Sequence, residues 1–173
     1  MGRDLLIVGA GMYAVVASEI AADMGCFEKI DFVDDVRQTT PNGVEVVGTI
    51  QEMGKKLDQY DDVIVAIGNP QVRLSLLDRL KREKICNIVT LISPRAYVSK
   101  SAHVMCGCII EPMAVVHTEC SVGEGCIISA GAVLNHMSVC CDGVHVDCNA
   151  TVAGYAKVPS CTKIANGDVF CSE

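Results

Sequence analysis

Tryptophan is absent from this 173-residue sequence, and three phenylalanines and four tyrosines supply all its aromatic content. Basic residues are also scarce, with 14 Lys and Arg against 21 Asp and Glu for a formal charge of −7. A chain with neither a basic patch nor a set of stacking aromatics is poorly suited to nonspecific nucleic-acid or anionic-membrane binding. Any phosphate-bearing ligand would need backbone amides instead. No run approaches the roughly 18 to 20 apolar residues that a bilayer crossing requires, and the N-terminus enters a strand-like segment without the basic and apolar regions of a signal peptide. A cytoplasmic location without membrane insertion is expected.

The eleven cysteines include no C-x-x-C pair. A zinc reading would draw on Cys106, Cys108, Cys140, Cys141 and Cys148 with the histidines, but without that spacing no metal is expected. In a reducing compartment these cysteines are expected to be free thiols acting as small hydrophobes. Half of the residues are hydrophobic, enough for a buried core in one large domain or two small ones.

What the sequence does contain is a period. From Ala96 it divides without insertion into thirteen hexads, AYVSKS, AHVMCG, CIIEPM and onward to DVFCSE. The third position is Val, Ile, Leu or Phe in all but one, where Cys140 stands; the first is mostly small, and Gly or a polar residue usually closes the unit. Six residues fit neither the 3.6-residue helix turn nor strict strand alternation, but they fit a short strand plus a tight turn. Three units make a triangular coil of eighteen residues, and coils stack at the strand spacing of about 4.8 Å with third-position side chains inside. The expectation is a parallel β-helix of hexapeptide repeats from residue 94 to 173. In known families such a prism is left-handed, an exception to the right-handed crossover rule.

Residues 1–93 follow another grammar. Leu5–Ala10, Ile30–Val33, Val63–Ile67 and Asn87–Ile92 read as strands, and Tyr13–Met24 and Gln71–Lys84 as helices. Their alternation predicts a small α/β domain, one mononucleotide-binding half of a Rossmann fold. GAGMYA, Gly9 to Ala14, lies between the first strand and its helix, with Asp34 and Asp35 about twenty residues on. This is the context of a dinucleotide fingerprint, in which glycines let amides approach a phosphate and an acid meets ribose or base. A tight turn with no ligand is the plain alternative. A nucleotide-sugar fits better than NAD because no second βαβ half and no hydride-transfer domain follow. Gly68, in IGN at the end of the next strand, can face the same ligand.

The coil period turns spacing into geometry. His136 is the fifth residue of its hexad, with Gly154 eighteen residues later and Thr118 eighteen earlier. Nothing should stand above its ring, which leaves room for a thin chain such as a pantetheine arm. His145 lies half a coil away at a second position, so it is expected at a surface or interface and not in a metal pair with His136. The two could converge only between subunits of a trimer. His103 and His117 read as solvated.

Together these residues resemble the nucleotide-sugar acyltransferases of the hexapeptide-repeat superfamily, which include UDP-4-amino-sugar N-acetyltransferases and sialic acid O-acetyltransferases of bacterial glycan synthesis. The resemblance rests on the strand-glycine-helix opening, FVDD at 32–35, AIGN at 66–69, ISPRAYVSKSAHV, and AVLNHMSV with VHV and AGYAKV. It implies that residues 1–93 bind the nucleotide-sugar and that the prism forms a homotrimer holding acetyl-CoA between neighbours. It makes His136 the general base, and His145, Gly154 and Asn166 acetyl-CoA contacts. Gly11, Met12, Tyr13, Asp34, Asp35 and Gly68 become the sugar-nucleotide contacts. Met137 stands where the family usually carries an acid, and the glycine loop reads GMY where GxGGH or GxSGH is common. The implied activity is acetyl transfer to an amino group of a nucleotide-linked sugar. The alternatives are a non-catalytic nucleotide-sugar-binding scaffold, a sugar O-acetyltransferase, and an NAD-binding regulatory module.

Overall fold

The four consecutive side chains Leu5 to Val8 are completely buried, as expected for the central strand of a parallel sheet covered on both faces. The computed structural model describes residues 2–83 and 86–171, and they divide into two compact units, one up to residue 91 and one from residue 92 onward.

In the first unit, β1 (Arg3–Val8), β2 (Phe27–Val33), β3 (Val46–Gly48), β4 (Asp62–Val65) and β5 (Asn87–Ile88) form one sheet in the order β3-β2-β1-β4-β5. All of its pairings are parallel. Helix α1 (Met12–Met24) crosses from β1 to β2, and α2 (Pro70–Glu83) from β4 to β5. Helix α1 buries Ala14, Ala17, Ile20 and Ala21. Leu77 and Leu80 of α2 pack in one cluster with Leu6, Val8, Val63 and Val65. Chain order reverses at β1, so the carboxyl ends of β1 and β4 flank a crevice of the kind where open α/β sheets bind ligands.

The sequence reading misses β3, which is only three residues long. It also treats Asn87–Ile92 as one strand, whereas the structure divides it between β5 and a second strand, Leu91–Ile92, belonging to another sheet. The expected end of α2 at Lys84, and the last two residues of the final hexad, lie outside the described residues.

The second unit is the expected left-handed β-helix. Two-residue strands stack in three parallel sheets, and each pairs with the strand eighteen residues away, as in Val115 with Val133 and Val133 with Thr151. Third-position Ile110, Val116, Val122, Ile128, Leu134, Cys140, Val146, Val152, Val158 and Ile164 form one buried core. First-position Cys108, Cys120 and Cys126 are also fully buried there. Their thiols donate to the carbonyls of Gly123, Asn135 and Cys141 at 3.0, 3.0 and 3.2 Å. All eleven cysteines are free.

The sixth position explains why glycine and polar residues close the hexads. Every one from Gly107 to Gly167 has positive φ, including Met113, Glu119, Met137, Asn149, Tyr155 and Cys161 between 56° and 66°. Each such non-glycine corner costs about 1 to 2 kcal/mol of backbone strain. The corners recover stability through the stack, since at most of them the sixth-residue N–H donates to the fifth-residue carbonyl one coil below, while that of Glu119 donates to the Ser101 hydroxyl at 3.2 Å. Examples are Met137 to Thr118 at 3.0 Å and Tyr155 to His136 at 3.2 Å. Cys161→Gly should therefore raise the urea midpoint by the equivalent of about 1 kcal/mol. Gly167→Ala should lower it by a similar amount, because a Cβ there meets nothing within 4 Å and only the φ of 73° opposes it.

Candidate active site

The two glycines of GAG have different reasons to be glycine. Gly9 has φ of 110°, and a Cβ there would lie 3.0 Å from the Ala66 carbonyl oxygen, so the turn itself demands it. Gly11 has φ of −85°, and a Cβ would meet nothing within 4 Å. The fold does not require Gly11; the bare backbone leaves open space at the start of α1, whose first turn carries no acidic residue. Amides at such a helix end favour an anion.

That space belongs to a cavity of about 270 Å³ lined by Gly11, Met12, Tyr13, Asp34, Arg37 and Gly68 among others. Five of the six substrate-binding positions expected from the sequence meet here. Asp35 lies instead in an adjoining hollow of about 100 Å³, which shares Asp34 and Arg37. Sequence reasoning passed over Arg37, the cation common to both. Its signal was its position, three residues after Asp34 in the loop that follows β2. Fully buried Arg73 was also missed; it donates to the carbonyls of Ile67 and Gly68 at 2.7 and 3.0 Å, fixing the strand-end loop.

Asp34 braces this cavity. One carboxylate oxygen accepts from the Ala10 amide at 2.8 Å and the other from the amides of Val36 and Arg37 at 2.9 Å each. Burial acts to raise the Asp34 carboxyl, but these amides, aided by the Arg37 guanidinium, outweigh it and hold the group below its ordinary range.

In the prism, His136 is exposed at a corner. A Cβ on Gly154 would come within 3.2 Å of both its Cε1 and Nε2, so no side chain stands above the ring, as expected, but the imidazole itself packs against the bare Gly154 backbone and fills the space that was expected to be open. Gly154 is not among the positive-φ residues; clearance, not backbone conformation, is what its missing side chain supplies. The His136 Nδ1 lies 2.7 Å from Asn135 Oδ1. Tyr155 packs edge-on against the imidazole at 5.3 Å between centroids, and His117 at 6.3 Å. His117 is thus exposed but is also part of this cluster, whereas His103 has no ring contact of this kind.

His145 departs from the expectation of an outward, solvent-facing side chain. It is 1 % exposed, and its Nε2 lies 3.2 Å from Ser129 Oγ. Ser129 belongs to a ladder at eighteen-residue spacing, Ser93, Glu111, Ser129 and Asp147, each at a fourth position and each buried. The hexad register, read at the fourth position as well as the third, would have displayed it. Burial, with the Asp147 charge adding to it, pushes the Glu111 carboxyl up against the opposing effect of the Ala130 amide and Ser129 hydroxyl. Asp147 is held low despite burial, chiefly by Lys163 at 2.9 Å. Asn166 is exposed at the corner following the sheet of His145, so one copy does not bring it to the edge of His136. Among the described residues no group of three or more His, Cys, Asp or Glu is placed to hold a metal ion, and no helix is long and apolar enough to cross a membrane.

A family model described as the PglD N-terminal domain matches residues 4–80, and one described as bacterial transferase hexapeptide (six repeats) matches residues 101–136. The chain carries both, in that order. The resemblance to sugar acetyltransferases read from the sequence is borne out by solved structures. The acetyltransferase domain of PglB from Neisseria gonorrhoeae FA1090, in complex with acetyl coenzyme A, is 29 % identical with a TM-score of 0.91, over 98 % of this chain and 82 % of that one. PerB from Caulobacter crescentus, in complex with CoA and GDP-perosamine, is 22 % identical with a TM-score of 0.80, over 97 % and 88 %. WeeI from Acinetobacter baumannii AYE is 18 % identical with a TM-score of 0.56, over 96 % and 87 %. The last two speak to the fold alone. No curated protein matches the chain.

Within the N-terminal unit the Asp34 bracing makes a pH-dependent prediction. A carboxyl held low in the folded state contributes stability above its unfolded value and loses it as pH falls through the folded one. Asp34→Ala should therefore melt below wild type at pH 7, with the gap closing as pH is taken below about 3.9, followed by circular dichroism.

Proposed function

We propose that this protein transfers the acetyl group of acetyl-CoA to an amino group of a nucleotide-linked sugar, a UDP-4-amino sugar of bacterial glycan biosynthesis. The observation carrying this reading is the placement of His136 Nε2 under the bare backbone of Gly154, in a chain similar throughout to an acetyltransferase domain solved with acetyl coenzyme A. The 270 Å³ cavity in the PglD N-terminal domain is assigned to the nucleotide end of the acceptor, with Gly11, Met12, Tyr13 and Gly68 against its phosphates and sugar. Arg37 and Asp35 flank the adjoining hollow.

His136 is exposed at its corner, and the thioester-bearing arm is assigned to the open side of its ring, away from the Gly154 backbone against which the imidazole packs. Acetyl-CoA supplies the carbonyl that the amine attacks and a thiolate leaving group. His136 accepts the amine proton through Nε2 as the N–C bond forms, which is general-base catalysis. A neutral imidazole performs this near neutral pH. Gly154 and Asn166 are proposed to lie along the cofactor, from neighbouring copies of a homotrimer, because one copy places them on different corners. His145, being buried, is proposed to serve that site by holding Ser129.

His136→Ala should lower kcat by about 10² to 10⁴; near-normal turnover would remove it as the base. Gly154→Ala, whose methyl would press on the imidazole, should lower kcat while leaving the melting temperature within a few degrees of wild type. A thermal-shift panel of UDP-, GDP- and CMP-sugars with and without acetyl-CoA tests the ligand class. Ligand at one hundred times its Kd stabilises by about 2.7 kcal/mol. A response to nucleotide-sugar without one to acetyl-CoA would mark a binding module, and no response to any nucleotide-sugar would overturn the proposal.

A further inference from the structure

An imidazole can act as base at Nε2 only when its proton sits on Nδ1, and the tautomer is set by the hydrogen bond the other nitrogen makes. At His136 that bond is decided by a neighbour whose orientation is itself determined. Asn135 Oδ1 lies 2.8 Å from the His136 backbone N–H. An amide N–H must donate, so the atom facing it is the carboxamide oxygen and not the nitrogen. The same oxygen lies 2.7 Å from His136 Nδ1, and an oxygen that only accepts requires Nδ1 to be the donor. The proton is therefore on Nδ1, and the lone pair is on Nε2, the atom under Gly154.

Asn135 is well placed to impose this. Its own backbone is tied on three sides: its N–H donates to Val152 O at 3.0 Å, and its carbonyl accepts from Ser138 N–H at 3.2 Å and from the Cys120 thiol at 3.0 Å. His117 and Tyr155 are in edge contact with the ring, and Gly154 backs it with bare backbone. Met137 follows at a positive-φ corner with a thioether in place of a carboxylate, and Glu119 occupies the same corner one coil below.

We infer that Asn135 is the positioning residue of His136, performing with a neutral carboxamide the orienting that an acidic neighbour could otherwise provide. The inference rests on the proposed role of His136 for its consequence in turnover, but not for its structural content. Long-range ¹H–¹⁵N correlation on the full-length protein with ¹⁵N-labelled histidine reads the tautomer directly. The expected result is a wild-type His136 with its proton on Nδ1. Asn135→Ala should revert toward the Nε2-protonated form favoured by free imidazole, and Asn135→Asp, which keeps an acceptor oxygen, should retain Nδ1–H. In turnover, Asn135→Ala should lower kcat by about tenfold, short of the 10² to 10⁴ of removing the base itself, with both KM values little changed, and Asn135→Asp should recover most of the loss.

An Nε2-protonated wild type, or a tautomer unchanged in Asn135→Ala, would overturn the inference. The wild-type spectrum alone keeps it exposed if the alanine variant fails to fold. If instead the tautomer behaves as stated while His136→Ala leaves turnover intact, the proposed catalytic role fails and the positioning contact stands.

Discussion

The hydrogen bond from most of the left-handed corners to the carbonyl nineteen residues earlier holds the prism together at its strained points. A two-residue strand offers few ladder bonds, so a stack of such strands depends on its corners as much as on its faces. With most corners tied to the one below, as Tyr155 is to His136, the coil cannot slip register without breaking these bonds together. The third-position side chains then stack into one core, and first-position cysteines fill the narrow space that larger residues would overpack.

The same rigidity gives an absent side chain a location. In a flexible loop a glycine beside a histidine would signify little, but in a stack repeating every eighteen residues Gly154 lies over His136 and lets the imidazole pack against bare backbone at a fixed position. The imidazole is held by His117, Asn135 and Tyr155, so its place in the stack and the tautomer that Asn135 sets rest on separate contacts. In the N-terminal unit Gly9 and Gly11 make a comparable distinction. Gly9 satisfies the turn, whereas at Gly11 a Cβ would meet nothing, and the residue lines a cavity at the start of α1.

Much of this was legible because it depends on period. Unbroken hexads determine coil length, hence which residues stack, hence that His136 lies beneath Gly154 and half a coil from His145. The glycine turn after β1, and Asp34 twenty residues on, marked the crevice before any coordinates. What escaped were features set by contacts off the repeat. Strand β3 is too short to carry a pattern, and Arg73 is one of several Arg and Lys residues along α2 with nothing in the spacing to mark it as wholly buried. His145 was expected at a surface, yet it is enclosed and bonded to Ser129. Asn135 carried no periodic signal at all, because its significance is a contact with the adjacent residue.

By itself the sequence determined the two kinds of architecture, the coil register, the buried third positions, and the general place of both candidate sites, since each follows from local spacing and a fixed rise per coil. Only the tertiary structure decided which carboxylate braces a loop, as Asp34 does with three backbone amides, and which polar groups are withdrawn from water. It also decided which nitrogen of His136 is left open. Those outcomes turn on distances of a few tenths of an ångström and on hydrogen-bond direction, quantities that a periodic pattern constrains but does not specify.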